Sequence, residues 1–173
     1  MKRALALTFA LGLAACASAG GQPTTAGGGK KAPDFSIQTT SGKSFRLADH
    51  LGKDVVVVDF WTTFCQPCVG SLMHLEEVYK KRKADGFVVI GVSMDPPETA
   101  GQVVPFVKSH DITFPMAHDA DSRVTELYNK KSSAPYSVLI ARDGTILKIR
   151  EAFQAGDEPS IDADIDAALS VKP

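Results

Sequence analysis

Two nearly unbroken apolar runs dominate the chain: Val55-Val56-Val57-Val58-Asp59-Phe60 and Phe87-Val88-Val89-Ile90-Gly91-Val92. Runs of this kind suit parallel strands covered on both faces. Between them, Leu72, Met73, Leu75, Val78 and Tyr79 recur at helical spacing within Val69 to Ala84, with Lys80 to Lys83 near the end and Asp85-Gly86 as a stop. The three pieces predict a βαβ unit with a right-handed crossover. Upstream, Phe35 to Gln38 and Ser44 to Arg46 read as short strands around a turn at Ser41-Gly42-Lys43, and Leu47 to Leu51 as one helical turn. Downstream, Pro96-Pro97 opens a segment to His110 in which Pro105 interrupts the helical pattern, predicting a kinked or late-starting helix. Ile112 to Met116 reads as a short strand or extended loop. Ser122 to Tyr128 reads as a short helix capped by Asp121 or Ser122. Arg142-Asp143-Gly144 between Ser137–Ile140 and Thr145–Ile149 is a hairpin signal. Ile161, Ile165, Ala168 and Leu169 mark a final amphipathic helix.

The first 31 residues follow another logic. Lys2 and Arg3 precede the apolar run Ala4 to Leu13, too short to span a bilayer and suited to a secretory signal over residues 1–15. Leu13-Ala14-Ala15-Cys16 resembles the lipobox of bacterial lipoproteins, which implies cleavage before Cys16 and a lipid on that residue. Cleavage after Ala17-Ser18-Ala19 is the alternative and would discard Cys16. Residues 16–31 are rich in Gly, Thr and Ala and lack large apolar side chains, so they read as a tether spanning roughly 20 Å. Residues 32–173 are then one folded domain. A formal net charge of -1 gives nucleic acid no purchase, and 44% hydrophobic residues is ordinary for a globular chain of 173 residues.

Cys65-Gln66-Pro67-Cys68 stands where the first apolar run gives way to the helix. Two cysteines three apart on a first helical turn have Cα atoms about 5–6 Å apart, inside the disulfide window. The helix N-terminus favours thiolate on the first of them. Pro67 is tolerated because first-turn N–H groups have no helical partner to lose. A zinc site needs four ligands as a rule, and His50, His74, His110 and His118 form no metal-binding pair. The folded part has no other cysteine, which fits a working redox pair.

Val58-Asp59-Phe60-Trp61 followed by Cys65-Gln66-Pro67-Cys68 resembles the active-site region of thioredoxin. The whole of Pro33 to Pro173 resembles the TlpA/ResA-type extracytoplasmic thiol–disulfide reductases of the redoxin family. The resemblance implies an α/β, thioredoxin-like three-layer sandwich. Its central mixed β-sheet has about five strands flanked by helices, with an N-terminal hairpin and an inserted strand-helix near Phe87 to His118. It implies Cys65 as nucleophile, Cys68 as resolving thiol, Asp59 as a buried proton acceptor and Pro135 as a cis-proline facing the dithiol. Ala134 would pair with substrate, and Trp61, Gln66 and Pro67 would lie beside it. The Asp at position 59 departs from many extracytoplasmic members, which carry a Glu elsewhere, and leans toward cytoplasmic thioredoxin. For Asp59 and Trp61, hydrogen bonding at a strand end and plain core packing remain the alternatives.

The expected activity is thiol–disulfide exchange on protein substrates with no cofactor and no metal. Electrons would come from a membrane or periplasmic donor, and the enzyme would be a monomer facing the periplasm. Two other readings stay open. Thr62-Thr63-Phe64-Cys65 carries the T-x-x-C part of a thiol-peroxidase motif, though Val58 replaces its proline. A copper chaperone of the Sco type would use a longer cysteine spacing and a distal His, for which His118 is the loose candidate.

Overall fold

The computed structural model describes residues 24–26 and 29–172, so the predicted leader, Cys16 and most of the tether lie outside the described residues. Its centre is a six-stranded sheet in the order β1-β8-β7-β4-β5-β6. The strands are β1 (Thr24–Ala26), β4 (Val55–Trp61), β5 (Phe87–Ser93), β6 (Met116–His118), β7 (Tyr136–Ile140) and β8 (Ile146–Glu151). A separate hairpin joins β2 (Ser36–Gln38) to β3 (Ser44–Arg46). The helices are α1 (Gln66–Arg82), α2 (Val103–Ser109), α3 (Arg123–Tyr128) and α4 (Glu158–Ser170).

The strand β4 is the axis. It runs parallel to β5 and antiparallel to β7, and all seven of its residues are buried. Alternate side chains serve two cores. Val55, Val57 and Trp61 pack with Leu72, Leu75 and Val78 of α1, Val103 of α2, and Ile165 and Ala168 of α4. Val56, Val58 and Phe60 pack with Phe35, Ile37 and Phe45 of the hairpin and Val124 and Tyr128 of α3. The unbroken apolar run in sequence is therefore two period-two patterns superposed, one for each layer.

Several boundaries differ from expectation for local reasons. Helix α1 begins at Gln66, inside the cysteine motif, and hands over to a 3-10 turn at Lys83–Asp85 that Gly86 ends at φ 83°. Helix α2 starts late, which places Pro105 in its first turn, where its missing N–H costs no helical bond. The inserted strand is Met116–His118 rather than Ile112–Met116. Ser122 holds the N-cap position of helix α3 without a side-chain bond, Asp121 Oδ1 accepts from the Arg123 N–H at 3.4 Å, and a third residue does most of the capping. Asp119 Oδ2 accepts from the Thr125 N–H and hydroxyl at 2.7 Å each, and its Oδ1 accepts from the Val124 N–H at 3.2 Å.

Pairing also begins ahead of Ala32. Residues 24–26 run antiparallel to β8, with Thr24 opposite Arg150 and Ala26 opposite Lys148. Lys31 is bridged to Thr145, Ile146 N–H donates to Lys30 O at 2.8 Å, and Ala32 N–H donates to Gly144 O at 2.8 Å. An edge strand built from backbone bonds needs no apolar side chains, so hydropathy gives no sign of it.

Gly91 lies opposite Asp59 on β5. A Cβ there would overlap Met116 Sδ and come within 2.9 Å of Met116 Cε. Gly91→Val is expected to lower unfolding stability by about 1–3 kcal/mol, the range for overpacking a core, as read from urea denaturation.

Candidate active site

The C-terminal ends of β4 and β5 open on one edge of the sheet, and the cysteine motif sits there. Cys65 is the N-cap residue of α1, in extended conformation at φ -88° and ψ 98°. Gln66 and Pro67 occupy the first helical positions and are exposed. Cys65 and Cys68 form a disulfide with Cα atoms 5.3 Å apart, and the Cys68 N–H donates to Cys65 O at 3.1 Å. The two sulfurs are not equivalent. Cys65 is half-buried and Cys68 is 0% exposed. No acid stands in the first turn of α1, whereas Lys80, Lys81 and Arg82 fill its last turn. The helix dipole is thus left to favour negative charge at Cys65 and is complemented at its far end.

Asp59 lies in mid-sheet between Gly91 and Ser137, on the β4 face shared with Val57 and Trp61, where Cys68 packs. It is 0% exposed, and neither carboxylate oxygen has a hydrogen-bond partner. Desolvation alone pushes its pKa from 3.8 up to about 8. The alternative of an Asp held by a neighbouring backbone group is removed by this geometry. The group is a neutral acid at mildly acidic pH and exchanges its proton near neutrality.

The approach to Cys65 is held by a residue that the motif does not reveal. Asp95, 4% exposed just beyond β5, accepts from the Thr63 N–H at 3.0 Å and the Thr63 hydroxyl at 2.5 Å. Ser93 and Thr99 donate to the same carboxylate at 2.8 Å each. The turn of Thr62 to Cys65 is thereby fastened to the next strand. An Asp two residues past an apolar strand and before Pro96 was its only sequence signal. His118, the loose metal candidate, is engaged by the Asp95 carbonyl at 2.8 Å through Nε2. Among the described residues, no three His, Cys, Asp or Glu side chains converge as metal ligands.

The loop ahead of β7 starts from the same edge of the sheet. The Ala134–Pro135 peptide is cis. Ala134 packs against the same apolar cluster as Cys65, and Pro135 O accepts from the Ala152 N–H at 2.9 Å. Asn129, 1% exposed, fixes the start of this loop: its Nδ2 donates to Ser133 O at 2.8 Å and its Oδ1 accepts from the Ser133 N–H at 3.2 Å. Phe153 lies over Gly70 of α1, where a Cβ would come within 2.8 Å of the ring.

Trp61 is a correction. Expected beside substrate, it is 0% exposed and packs on Phe106 with ring centroids 4.8 Å apart. Its backbone explains this, because it is the last residue of β4 and alternation turns it into the core with Val57. The aromatic that does reach solvent at the dithiol is Phe64, 67% exposed and adjacent to Cys65. The sequence reading missed it, because an apolar residue three positions beyond a buried strand looks like part of the core.

The pH dependence of stability follows from Asp59. Between pH 4 and 8 the folded protein keeps a proton that the unfolded chain has lost, so stability falls as pH rises through that window, by about 1.4 kcal/mol per unit. The depressed carboxyls Glu76 and Asp143 act below it, and the raised phenols of Tyr128 and Tyr136 above it. Urea unfolding of the oxidised protein should give a lower midpoint at pH 8 than at pH 5, and Asp59→Asn should flatten most of that slope. An unchanged slope in the variant would remove the buried acid from the account.

The comparisons agree with the geometry. Residues 28–149 match the AhpC/TSA family. The chain is 36% identical over 120 residues to a thiol-disulfide oxidoreductase ResA of Bacillus cereus, covering 69% of this chain and 67% of that one. It is 30% identical over 145 residues to the ResA of Geobacillus thermodenitrificans, covering 84% and 81%. Among solved structures, a putative thiol:disulfide interchange protein DsbE from Chlorobium tepidum superposes with a TM-score of 0.75 at 34% identity, over 82% of this chain and 97% of that one. A putative protein disulfide isomerase from Bacteroides thetaiotaomicron gives 0.74 at 29% identity, over 83% and 90%. With a half-buried and a fully buried cysteine joined at a helix N-terminus above an unpartnered carboxyl, the chain belongs to the AhpC/TSA redoxin family and is a thiol–disulfide oxidoreductase, thioredoxin-like in fold and similar to ResA.

Proposed function

We propose that the dithiol reduces disulfides of protein clients outside the cytoplasm, with Cys65 as attacking and Cys68 as resolving sulfur. The carrying observation is the difference in access between the two cysteines. The Cys65 thiolate attacks one client sulfur, a mixed disulfide forms, and the client's other sulfur leaves as thiolate. Cys68 then gives its proton to the Asp59 carboxylate and attacks Cys65 Sγ. The second client sulfur leaves, and the enzyme holds the Cys65–Cys68 disulfide. An upstream dithiol returns two electrons by the reverse path. In that direction the neutral Asp59 acid protonates the departing Cys68 thiolate, a role that its raised pKa suits. Phe64, Gln66 and Pro67 are exposed beside Cys65 and offer the client a partly apolar contact, with Ala134 across from them as a backbone partner.

The chain acts as a monomer tethered to a membrane through a lipid on Cys16, facing the periplasm. The short apolar leader and the cysteine at its end support that reading. No helix among the described residues is long and apolar enough to cross a membrane.

Cys68→Ser should accumulate mixed disulfides with client proteins on non-reducing gels, and Cys65→Ser should accumulate far fewer. Equal trapping by both, or trapping by Cys65→Ser alone, would reverse the assignment. Intact-mass measurement of membrane-extracted protein should give a mature chain that begins at Cys16 and carries lipid. A chain beginning at Gly20 without lipid would remove the anchor.

A further inference from the structure

The direction in which the N-terminal segment leaves the sheet decides which end of the domain faces its point of attachment. Strand β4 ends at the dithiol, β7 begins at that edge with Tyr136 opposite Phe60, and β8 returns to it with Glu151 opposite Tyr136. The segment ahead of Ala32 lies along β8 in the opposite sense. Ala32 is bonded to Gly144, Lys31 is paired with Thr145, Lys30 is bonded to Ile146, and Thr24 stands opposite Arg150. Traced backwards, the chain therefore climbs from the far end of the sheet to the dithiol edge. The C-terminus goes the other way. Arg150 Nη2 donates to Ser160 O at 3.0 Å near the start of α4. Arg142, just past the far end of β7, donates to Leu169 O at 3.0 Å and to Val171 O at 2.5 Å.

We infer that the fold presents its dithiol toward the membrane that anchors it, so that the partner it serves carries its reacting sulfurs at the surface of that same membrane. The inference rests on the lipid anchor for its setting, and its geometry rests on the described strands. Eight residue steps separate Cys16 from Thr24. Fully extended they span at most about 29 Å, and as a coil roughly 16 Å. Three strand spacings, about 14 Å, separate β1, where Thr24 lies, from β4. As a coil, the tether is thus shorter than the roughly 30 Å diameter of a small domain that would have to stand between the anchor and the sheet. A tether leaving from the far end of the sheet would instead have pointed Cys65 and Phe64 away from the bilayer. Within that reach, tethering raises the effective concentration of a membrane-surface disulfide without adding any contact.

The test compares two ways of holding the mature chain on phosphatidylcholine vesicles doped with nickel-chelating lipid, at equal surface density. In one, hexahistidine replaces residues 16–21; in the other, it follows Pro173. The substrate is a quenched dye joined by a disulfide to a lipid headgroup, and the same dye disulfide free in solution is the control. Both pre-reduced chains should reduce the soluble dye equally, which separates orientation from any damage to the dithiol. The N-terminally held chain should reduce the lipid-linked dye roughly tenfold faster. Equal rates on the lipid-linked dye, or a faster C-terminally held chain, would overturn the inference. Because neither chain uses a lipid on Cys16, the outcome is independent of the mass measurement that tests the anchor.

Discussion

The carboxyl of Asp59 sets the terms for everything around it. A side chain with two unpartnered oxygens in the middle of a sheet is costly to bury, and it persists only where the surrounding structure leaves it no alternative. Gly91 on one side and Ser137 on the other bring two neighbouring backbones against it, Met116 closes over the glycine, and α1 covers the face. Kept neutral in this way, Asp59 costs far less than a buried anion. Its proton lies in the layer of Cys68. The same desolvation that weakens the fold as pH rises gives the acid a working pKa in the range where thiols exchange protons.

The two cysteines divide a single task through their places on one helical turn. Cys65, as N-cap, keeps extended backbone and partial exposure, and α1 directs its partial positive charge there. Cys68, three residues on, falls under the helix and into the core with Leu72 and Trp61. Access and acidity are thus graded by the geometry of a helix start. What the turn cannot do alone is hold its own approach. Asp95 does that from just beyond β5, and Asn129 does the equivalent for the loop that carries Ala134 and Pro135. Both are buried polar residues with paired oxygens, in contrast to Asp59.

How much of this was legible in sequence depended on the range of the interactions. The βαβ unit, the hairpin at Asp143-Gly144 and the cysteine turn are local, and periodicity with turn chemistry reveals them. Asp59 was readable as a site residue because its position before the cysteines matches a known pattern. Its lack of partners was not, since that depends on strands distant in sequence. Trp61 and Phe64 take opposite places because a strand ends between them. Alternation puts Trp61 inside, and the turn at Thr62-Thr63 throws Phe64 out. Asp95 and Asn129 look like loop residues until their partners on other elements are known.

The edge strand shows the limit from the other side. Residues 24–26 and 30–32 have no apolar pattern, because what fixes them is the free backbone edge of β8. Composition alone makes this stretch a spacer of undefined direction. Pairing gives it a direction, and that changes its meaning. A spacer sets only how far a domain can wander from its attachment, whereas a strand docked along β8 also sets which end of the domain leads. For an enzyme whose reaction depends on the meeting of two sulfurs, the second property governs the encounter as directly as the chemistry of Cys65 does.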